Sequence, residues 1–301
     1  MKEHRNQEKA ETKPKKKKKH FTPPFYIFGA IGLFLIIYFG YQLFDYKYAG
    51  YQYKKDNEKL LDIVGDISKD KLPSDDNEPT LTPKAETDAG TTENTATVVP
   101  VKASEWPGNY DTLKETNKDC IGWIKIPDTN IDYPVMYTPD DSEKYLHTSF
   151  YGKYQFRGLP FLDANSTLQD NMTDNNIIIY GHNMNDGTGF QNLKFYLDDE
   201  WGMKHRYCYL NLEYDEGIYE LVGVVLTHIY TANEKKGFEY YNYSGSMEAD
   251  KFIEYSKNVV NERRYDTGCD PILGDTLVTL SMCYRVHHPD GRLIVVFRKI
   301  N

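Results

Sequence analysis

The sequence predicts a mainly β domain, built as a barrel or a sandwich, that follows a single N-terminal membrane-spanning helix. Seven short β-rich runs, separated by turn residues, occur between residues 122 and 300. Residues 25–44 form an apolar run of twenty residues without a charge. With 301 residues and a mean hydropathy of −0.67, the chain has room for one substantial domain and is too polar for a polytopic membrane protein.

The N-terminal head, residues 1–20, is strongly basic. It holds nine Lys or Arg against three Glu, a net charge of +6 that leaves −15 for the rest of a chain whose total is −9. Nucleic-acid binding needs a basic face that releases counterions, so the acidity of the remainder argues against a nucleic-acid partner. The lysines at 15–19 lie immediately before the apolar run and predict a cytoplasmic N-terminus.

Residues 21–44 are predicted to anchor the chain in the cell membrane. As a helix, the uncharged run at 25–44 is about 30 Å long, which matches the thickness of a bilayer core. A cleaved secretory signal is the alternative, but the run is longer than a usual signal core and no small-residue cleavage site follows it. We therefore expect a single-pass anchor with an extracellular domain after it.

Three segments are predicted to follow the anchor. Apolar residues at helical spacing, among them Leu60 and Val64, indicate a short juxtamembrane helix within residues 45–69. Residues 70–104 are rich in Thr, Asp, Glu, Pro and Ala and predict a flexible stalk, because such a composition cannot support a packed core. The folded domain is expected over residues 105–301.

The β-rich runs of this domain are short, and turn residues separate them. They cover residues 122–126, 131–137, 176–182, 206–212, 219–228, 275–283 and 292–300. Two helices are also predicted, one at 112–120 before the first run and one at 246–264 between the fifth and sixth runs. The predicted apolar face of the second helix consists of Phe252, Ile253, Val259 and Val260.

The last two β-rich runs predict an antiparallel hairpin with a defined register. Pairing Leu280 with Val295 sets every apolar residue on one face of the first run opposite an apolar residue of the second. The same register sets Cys283 opposite Arg292, with Cβ atoms about 4.5–5.5 Å apart. A guanidinium in that position can stabilise a thiolate or donate hydrogen bonds to an oxyanion.

A nucleophilic thiol needs a proton-transfer partner, and histidine is the usual one. His182 ends the run at 176–182 where a strand opens into a loop, a common place for a catalytic side chain. His287 and His288 are rivals because they are close to Cys283 in the sequence, although HHPDG more simply predicts the hairpin turn. The residues alone do not decide whether Cys283 is a nucleophile, because a lone cysteine at a strand end is more often a small buried hydrophobic residue.

The other cysteines, Cys120, Cys208 and Cys269, show no C-x-x-C spacing, so neither a zinc ribbon nor a thioredoxin-like motif is predicted. Disulfides are permitted outside the membrane, but nothing in the spacing demands one. If Cys283 is a catalytic thiol, at least one of the other three is also unpaired.

Three motifs, in the same order along the chain, resemble the sortase family. LSMC at 280–283, followed by the arginine of GRLIVVFRK, resembles the sortase signature in which one strand ends in T-L-S/T-x-C and the next begins with Arg. YGHNM at 180–184 resembles the histidine motif of the family. From about Tyr110 onwards the chain resembles class B sortases, through YDTLKETNKDCIGWIKIPDTNIDYPVMY and through the helix at 246–264, which class B members insert between their sixth and seventh strands.

The resemblance implies an eight-stranded sortase-type β-barrel with flanking helices, and the activity of a cysteine transpeptidase. Cys283 would form a thioester with a C-terminal sorting signal on a secreted protein, His182 would protonate the leaving amine, and Arg292 would stabilise the oxyanion. An amine of a peptidoglycan precursor or of a pilin would then release the product. No metal or cofactor is implied, and no calcium-binding cluster like that of class A is visible.

The same resemblance places Ser281, Asn165 and Tyr284 near the substrate. Tyr284 departs from the acidic residue that often follows the class B nucleophile, and Met282 departs from the commoner Thr. Both departures concern substrate preference and lie outside the predicted catalytic set.

Two other functions are compatible with the sequence. The same catalytic residues permit a surface cysteine peptidase that only hydrolyses its target. A membrane-anchored binding module without activity would instead keep Cys283 as a core residue. Within the sortase interpretation, anchoring to the cell wall and polymerisation of pilins are both open.

Overall fold

The computed structural model describes residues 23–65, 110–167, 174–213 and 215–300. The predicted basic head, 1–20, and the predicted stalk, 70–104, lie outside the described residues. The chain divides into two compact units, Met1–Tyr48 and Ala49–Asn301.

Helix α1, Pro23–Val64, covers most of the predicted anchor and continues without a break to Val64, within the region of the predicted juxtamembrane helix. By length and composition it can cross a membrane, with a mean hydropathy of 2.0 over its most apolar window. Its residues from Ala49 onwards belong to the second unit, where Leu60 and Val64 are buried against the core.

Eight strands close into a barrel in the order β1-β2-β3-β4-β7-β8-β6-β5. They are β1 (Cys120–Lys125), β2 (Asp132–Met136), β3 (Phe161–Leu162), β4 (Asn176–Gly181), β5 (Tyr207–Leu212), β6 (Asp215–His228), β7 (Leu277–Cys283) and β8 (Gly291–Lys299). The eight-stranded barrel implied by the family resemblance is therefore confirmed, and the sandwich is excluded because the sheet closes on itself.

Strand β3 is the one that the sequence pattern does not predict. It has only two residues, and it pairs in parallel with β2 at Phe161 and Met136 and antiparallel with β4 at Phe161 and Tyr180. Two residues are too few to show an alternation of apolar and polar side chains, which is the signal of a strand. The other seven strands coincide with the predicted runs, with ends that differ by a few residues.

In the described part of the chain, three further α-helices flank the barrel, namely α2 (Tyr110–Thr116), α3 (Asp199–Lys204) and α4 (Ala249–Glu262). The prediction of a helix over 112–120 is wrong at its C-terminal end. Asn117 stops the helix, because its side-chain oxygen accepts a hydrogen bond from the Asp119 amide at 3.0 Å, and Cys120 already belongs to β1.

Helix α4 confirms the predicted helix between the sixth and seventh strands, but its buried face differs from the predicted one. The buried residues are Phe252, Tyr255, Ser256 and Val259, whereas Ile253 is 37% exposed. Tyr255 and Ser256 tolerate burial because their hydroxyls are hydrogen bonded, to Thr279 and to the Phe252 carbonyl. A count of apolar residues alone misses such a face.

Strands β7 and β8 separate two apolar clusters. Val278, Leu280 and Met282 point into the same cluster as Leu293, Val295 and Phe297, which lies inside the barrel. The alternate residues of these strands, with Leu277, Ile294 and Val296 among them, pack under α4 on the outside. Fully burying each such side chain stabilises the fold by about 1.5–3 kcal/mol. The inner and the outer faces of β7 and β8 therefore both contribute to the stability of the fold.

Candidate active site

The candidate site lies where three neighbouring strands end. Strand β4 is parallel to β7, with Gly181 opposite Met282, and β7 is antiparallel to β8, with Cys283 opposite Arg292. His182 directly follows the last residue of β4 and so lies at the level of Cys283. Neighbouring strands are about 4.8 Å apart. The hairpin register predicted from the sequence is confirmed, and the fold brings His182, Cys283 and Arg292 into one row.

The row belongs to the outer face of the barrel. Along β7, the last side chain that points into the barrel is that of Met282. Side chains alternate between the two faces of a strand, so Cys283 shares the outer face with Thr279 and Ser281. Arg292 likewise alternates with interior Leu293. A polar row at the end of the outer face is open to a macromolecular substrate, whereas the barrel interior is filled with side chains.

Cys283 is the only one of the four thiols, all of which lie in the described residues, that is not buried. The other three are free thiols in the core. Burial raises the pKa of Cys120 to about 12 and that of Cys269 to about 12. Burial likewise raises the pKa of Cys208. Since the thiolate is the nucleophile, these three are inert, and Cys283 is the candidate.

The imidazole of His182 is held in one tautomer. Its Nε2 donates a hydrogen bond to the Leu146 carbonyl at 2.8 Å, so the neutral ring keeps Nδ1 as its free basic nitrogen. The rings of His147 and Phe156 stack beside it, with centroids at 5.5 Å and 6.2 Å. Burial lowers the pKa of His182 below its ordinary value, and the Leu146 hydrogen bond opposes this shift. The ring is therefore neutral at pH 7, as a proton acceptor should be.

Arg292 is oriented by backbone carbonyls of the hairpin turn. Its Nη1 donates to the carbonyls of Asp290 and Gly291, both at 3.1 Å. Its charge also reaches Tyr240: burial raises the pKa of that tyrosine to about 12, and the nearby guanidinium opposes the increase. The remaining guanidinium donors are suited to an oxyanion that forms next to Cys283.

The three residues expected near the substrate lie in different surroundings. Asn165 is exposed in the loop after β3, and its amide donates to Asp163 at 2.9 Å. Tyr284 is half-buried at the start of the hairpin turn. Ser281 is only 1% exposed, and its hydroxyl is hydrogen bonded to Tyr240 at 2.7 Å. Ser281 is thus a partner of a buried tyrosine, and its contact with substrate stays a prediction.

Two contacts at the site escape sequence reasoning. The side chain of Asn183 donates to the Cys283 carbonyl at 2.9 Å and ties the loop of His182 to the end of β7. Tyr180 donates to Asp163 at 2.8 Å and joins the β3 loop to β4. Asn183 follows His182 directly in the chain, but its partner lies 100 residues away and no local pattern indicates it.

His228, Glu234 and His288 form a cluster of ligand-type atoms within 4.8 Å of one another, next to the hairpin turn. The two imidazoles are stacked with centroids 4.1 Å apart. The Asp290 amide donates to Nδ1 of His288 at 3.0 Å, which leaves the proton of the neutral ring on Nε2, facing Glu234 at 3.3 Å. His288 and Glu234 thus join two loops by a hydrogen bond, and the ring of His228 stacks on that of His288.

Comparison with known proteins identifies sortase B proteins of several bacteria as similar to the chain, although no model of a protein family matches it. Sortase B of Listeria monocytogenes is 31% identical over 186 residues, which cover 61% of this chain and 70% of the relative. Sortase B of Staphylococcus aureus is 27% identical over 193 residues, covering 64% and 74%. The crystal structure of sortase B from Bacillus anthracis in complex with AAEK1 superposes with a TM-score of 0.54 at 26% identity, covering 64% of this chain and 84% of that one.

Proposed function

The chain belongs to the class B sortases and is a sortase-type cysteine transpeptidase, and we propose that Cys283, His182 and Arg292 are its catalytic residues. Its substrates are secreted proteins with a C-terminal sorting signal, which it joins to an amine of a peptidoglycan precursor or of a pilin. The observation that carries the proposal is the register that sets a half-buried thiol opposite Arg292 and next to His182.

The first half of the reaction forms a thioester. Nδ1 of neutral His182 first takes the proton of the Cys283 thiol, and the resulting thiolate attacks a carbonyl carbon of the sorting signal. The negative charge that develops on the carbonyl oxygen is stabilised by the guanidinium of Arg292. The C–N bond then breaks, and protonated His182 gives its proton to the leaving amine. Because Nε2 is engaged with Leu146, Nδ1 is the atom that carries this proton.

The second half releases the product. The acceptor amine attacks the thioester carbonyl and loses a proton to Nδ1 of His182, a C–N bond forms, and the C–S bond breaks to regenerate the thiolate of Cys283. Arg292 stabilises the oxyanion again. The low pKa of His182 supports this role, since a neutral ring is available as the base.

The sorting signal is proposed to lie along the outer face, between the loop after β3 and the hairpin turn. Asn165 lies in the loop after β3, beside Gly245 and near the start of β4, whereas Tyr284 directly follows Cys283 at the hairpin turn. Both side chains reach the surface. Ser281 contributes indirectly, through its hydrogen bond with Tyr240 under the same face.

Membrane anchoring by residues 25–44 is supported by the surface of helix α1. Its most apolar window is not buried by any other part of the described chain. Large side chains such as Phe28, Ile36 and Phe39 are 73%, 71% and 63% exposed, and an apolar surface of this kind needs lipid or a partner to cover it. With the lysines at 15–19 inside, the catalytic domain faces outward. Protease added to intact cells should then degrade the catalytic domain.

The decisive experiment mixes the purified chain with peptides that carry candidate sorting signals and follows intact mass. A covalent adduct is expected on the wild-type protein and not on Cys283→Ala. If no peptide forms an adduct, or the adduct survives in the variant, the mechanism is wrong. Adding an amine separates transpeptidation from hydrolysis, because a transpeptidase diverts the product from acid to amide.

Iodoacetamide tests the alternative of a binding module without activity. The folded protein should be alkylated on Cys283 alone, because the other three cysteines are buried. Alkylation of all four is expected only after unfolding. A folded protein whose Cys283 stays unmodified would favour the binding module.

The class of acceptor is identified by comparing two amines in the transpeptidation assay, a pilin lysine peptide and a peptidoglycan stem peptide.

A further inference from the structure

A buried ion pair joins the two loops on either side of His182. Arg157 is 2% exposed, and its guanidinium donates to Oδ2 of Asp186 through Nε at 3.1 Å and through Nη2 at 2.7 Å. The other carboxylate oxygen, Oδ1, accepts a hydrogen bond from the Thr188 hydroxyl at 2.6 Å. Arg157 precedes β3, and Asp186 lies in the loop after β4, so the pair connects segments that are 29 residues apart.

Both chain neighbours of Arg157 bear on His182. The Phe156 ring stacks beside the imidazole at 6.2 Å. Gly158, with φ of +54°, packs so closely that an added Cβ would lie 2.5 Å from the Leu146 carbonyl oxygen, which is the acceptor of the His182 proton. A shift of Arg157 would therefore move the stacking partner and the hydrogen-bond acceptor of the imidazole together.

Asp186 bears on His182 from the other side, through its own loop. This loop leaves β4 at His182 and returns to it, since the Phe190 amide donates to the His182 carbonyl at 2.7 Å. An isolated bridge also joins Asn183 to Gly189 within the loop. Asp186 lies in the middle of this closed loop, far from its two ends. Its ion pair with Arg157 therefore determines the orientation of the loop relative to the barrel.

Helix α1 completes the arrangement at Gly50. A Cβ at this buried glycine would lie 2.9 Å from Nη2 of Arg157 and 2.9 Å from Oδ2 of Asp186, so a larger residue would push the ends of both side chains aside. One turn later Tyr53 is buried and its ring contacts that of Tyr133, with centroids at 5.8 Å. Gly50 and Tyr53 belong to the same compact unit as the barrel.

We propose that the Arg157–Asp186 ion pair is a positioning element for His182, and that the membrane-proximal part of helix α1 seals it at Gly50. The proposal rests on the catalytic role proposed above for His182. A buried ion pair is a poor way to add stability, since a well-packed apolar pair serves as well or better. Two guanidinium nitrogens that donate to the same oxygen of Asp186 are suited to holding two loops in one arrangement, because charge-assisted hydrogen bonds are strong and directional.

The test uses the full chain in detergent micelles and compares Gly50→Ala with Gly40→Ala. Gly40 is a matched control, because it lies in the same helix and an added Cβ there meets nothing within 4 Å. Alanine favours a helix over glycine in both variants, so a purely structural effect on the helix is shared. The NMR signal of the His182 ring, assigned by its loss in His182→Asn, reports the position and titration of the imidazole without any substrate.

We expect Gly50→Ala to shift the His182 signal and its titration midpoint and to lower kcat with peptide and amine at least about tenfold, with little change in KM. Gly40→Ala should match the wild type in all three. If Gly50→Ala also matches the wild type, the proposal is wrong. Should Gly50→Ala fail to fold, Asp186→Asn replaces it: an unchanged His182 signal in this variant overturns the proposal, and a shifted one supports it.

The outcome also separates this proposal from the proposed function. If no peptide is turned over by the wild-type protein, the catalytic role of His182 fails, but its NMR signal still reports whether Gly50 and the ion pair position the ring. If peptides are turned over and the signal does not respond to Gly50→Ala, the positioning proposal fails while the function stands.

Discussion

Replacing Tyr240 by phenylalanine should destabilise the catalytic unit by about 2 kcal/mol. Tyr240 is fully buried, Ser281 is 1% exposed, and the two hydroxyls share a hydrogen bond of 2.7 Å. The variant keeps the ring and its packing but leaves the Ser281 hydroxyl buried without this partner, and such a group costs about 1–3 kcal/mol. For a domain of this size the loss corresponds to a decrease in Tm of about 4–8 °C.

A double-mutant cycle tests the physical reason. Ser281→Ala should cost a similar amount, because it leaves the Tyr240 hydroxyl unpaired in turn. Removing both hydroxyls leaves no buried polar group, so the double variant should lose clearly less than the sum of the two single losses. The measurement is the free energy of unfolding in urea, followed by tryptophan fluorescence.

The neighbouring Tyr241 provides the matched control. It is half-buried, and its hydroxyl donates to the Glu239 carboxylate at 3.1 Å, where water can replace it. Tyr241→Phe should therefore cost less than about 1 kcal/mol. Equal losses for Tyr240→Phe and Tyr241→Phe, or a double variant equal to the sum of Tyr240→Phe and Ser281→Ala, would refute the reasoning.

Three further predictions concern the catalytic row. Arg292→Lys should lose most of the transpeptidation rate, because a point charge does not replace the planar fork of the guanidinium, and a rate close to wild type would show that Arg292 is not the oxyanion donor. Gly158→Ala should lower the rate at least about tenfold, since its Cβ would displace the Leu146 carbonyl; a matched control is Gly152→Ala, at a glycine that also has positive φ but an open surrounding. The pKa of His182 is lower in the folded chain than in the unfolded chain, so the unfolded chain is protonated first as the pH falls. His182 therefore contributes fully to stability above its ordinary pKa, and this contribution is lost as the pH falls through the lowered pKa of the folded state. The difference in unfolding free energy between wild type and His182→Asn should therefore fall with decreasing pH below about 6.5, by no more than about 1.4 kcal/mol per pH unit, and a constant difference would contradict it.

The hairpin that carries Cys283 and Arg292 could be predicted in detail from the sequence. Apolar residues alternate in both strands, and only one register places Leu280 opposite Val295 and the remaining apolar residues opposite one another. The two strands also follow each other directly in the chain, so their pairing needs no knowledge of the rest of the fold. The register was accordingly correct at every paired position.

The position of His182 could not be obtained in this way. Its strand, β4, pairs with β7 across about 100 residues of sequence, and parallel pairing of distant strands leaves no local pattern. Its place at the end of a β-rich run favoured His182 over His287 and His288, and the family resemblance then selected it. The ion pair between Arg157 and Asp186 and its contact with Gly50 could not be predicted either, because each partner lies in a different segment of the chain.

The burial of polar side chains also could not be predicted from the sequence. Helix α4 was predicted correctly, but its buried face contains Tyr255 and Ser256, which a hydrophobic pattern does not count. The contact of Ser281 with substrate stays a prediction, but its hydrogen bond with buried Tyr240 could not be read from the sequence. Whether a hydroxyl can be buried depends on a hydrogen-bond partner, and the partner is determined by packing.

The sequence by itself determined the apolar N-terminal helix, seven of the eight strands and the pairing of Cys283 with Arg292, because periodicity and the order of neighbouring strands are local properties of the chain. The tertiary structure decided that this pair lies on the outer face, that His182 follows the adjacent strand, and that Cys283 alone among the four thiols reaches the surface. These features depend on closure of the barrel, which sets the two faces of every strand and joins residues that are far apart in the sequence.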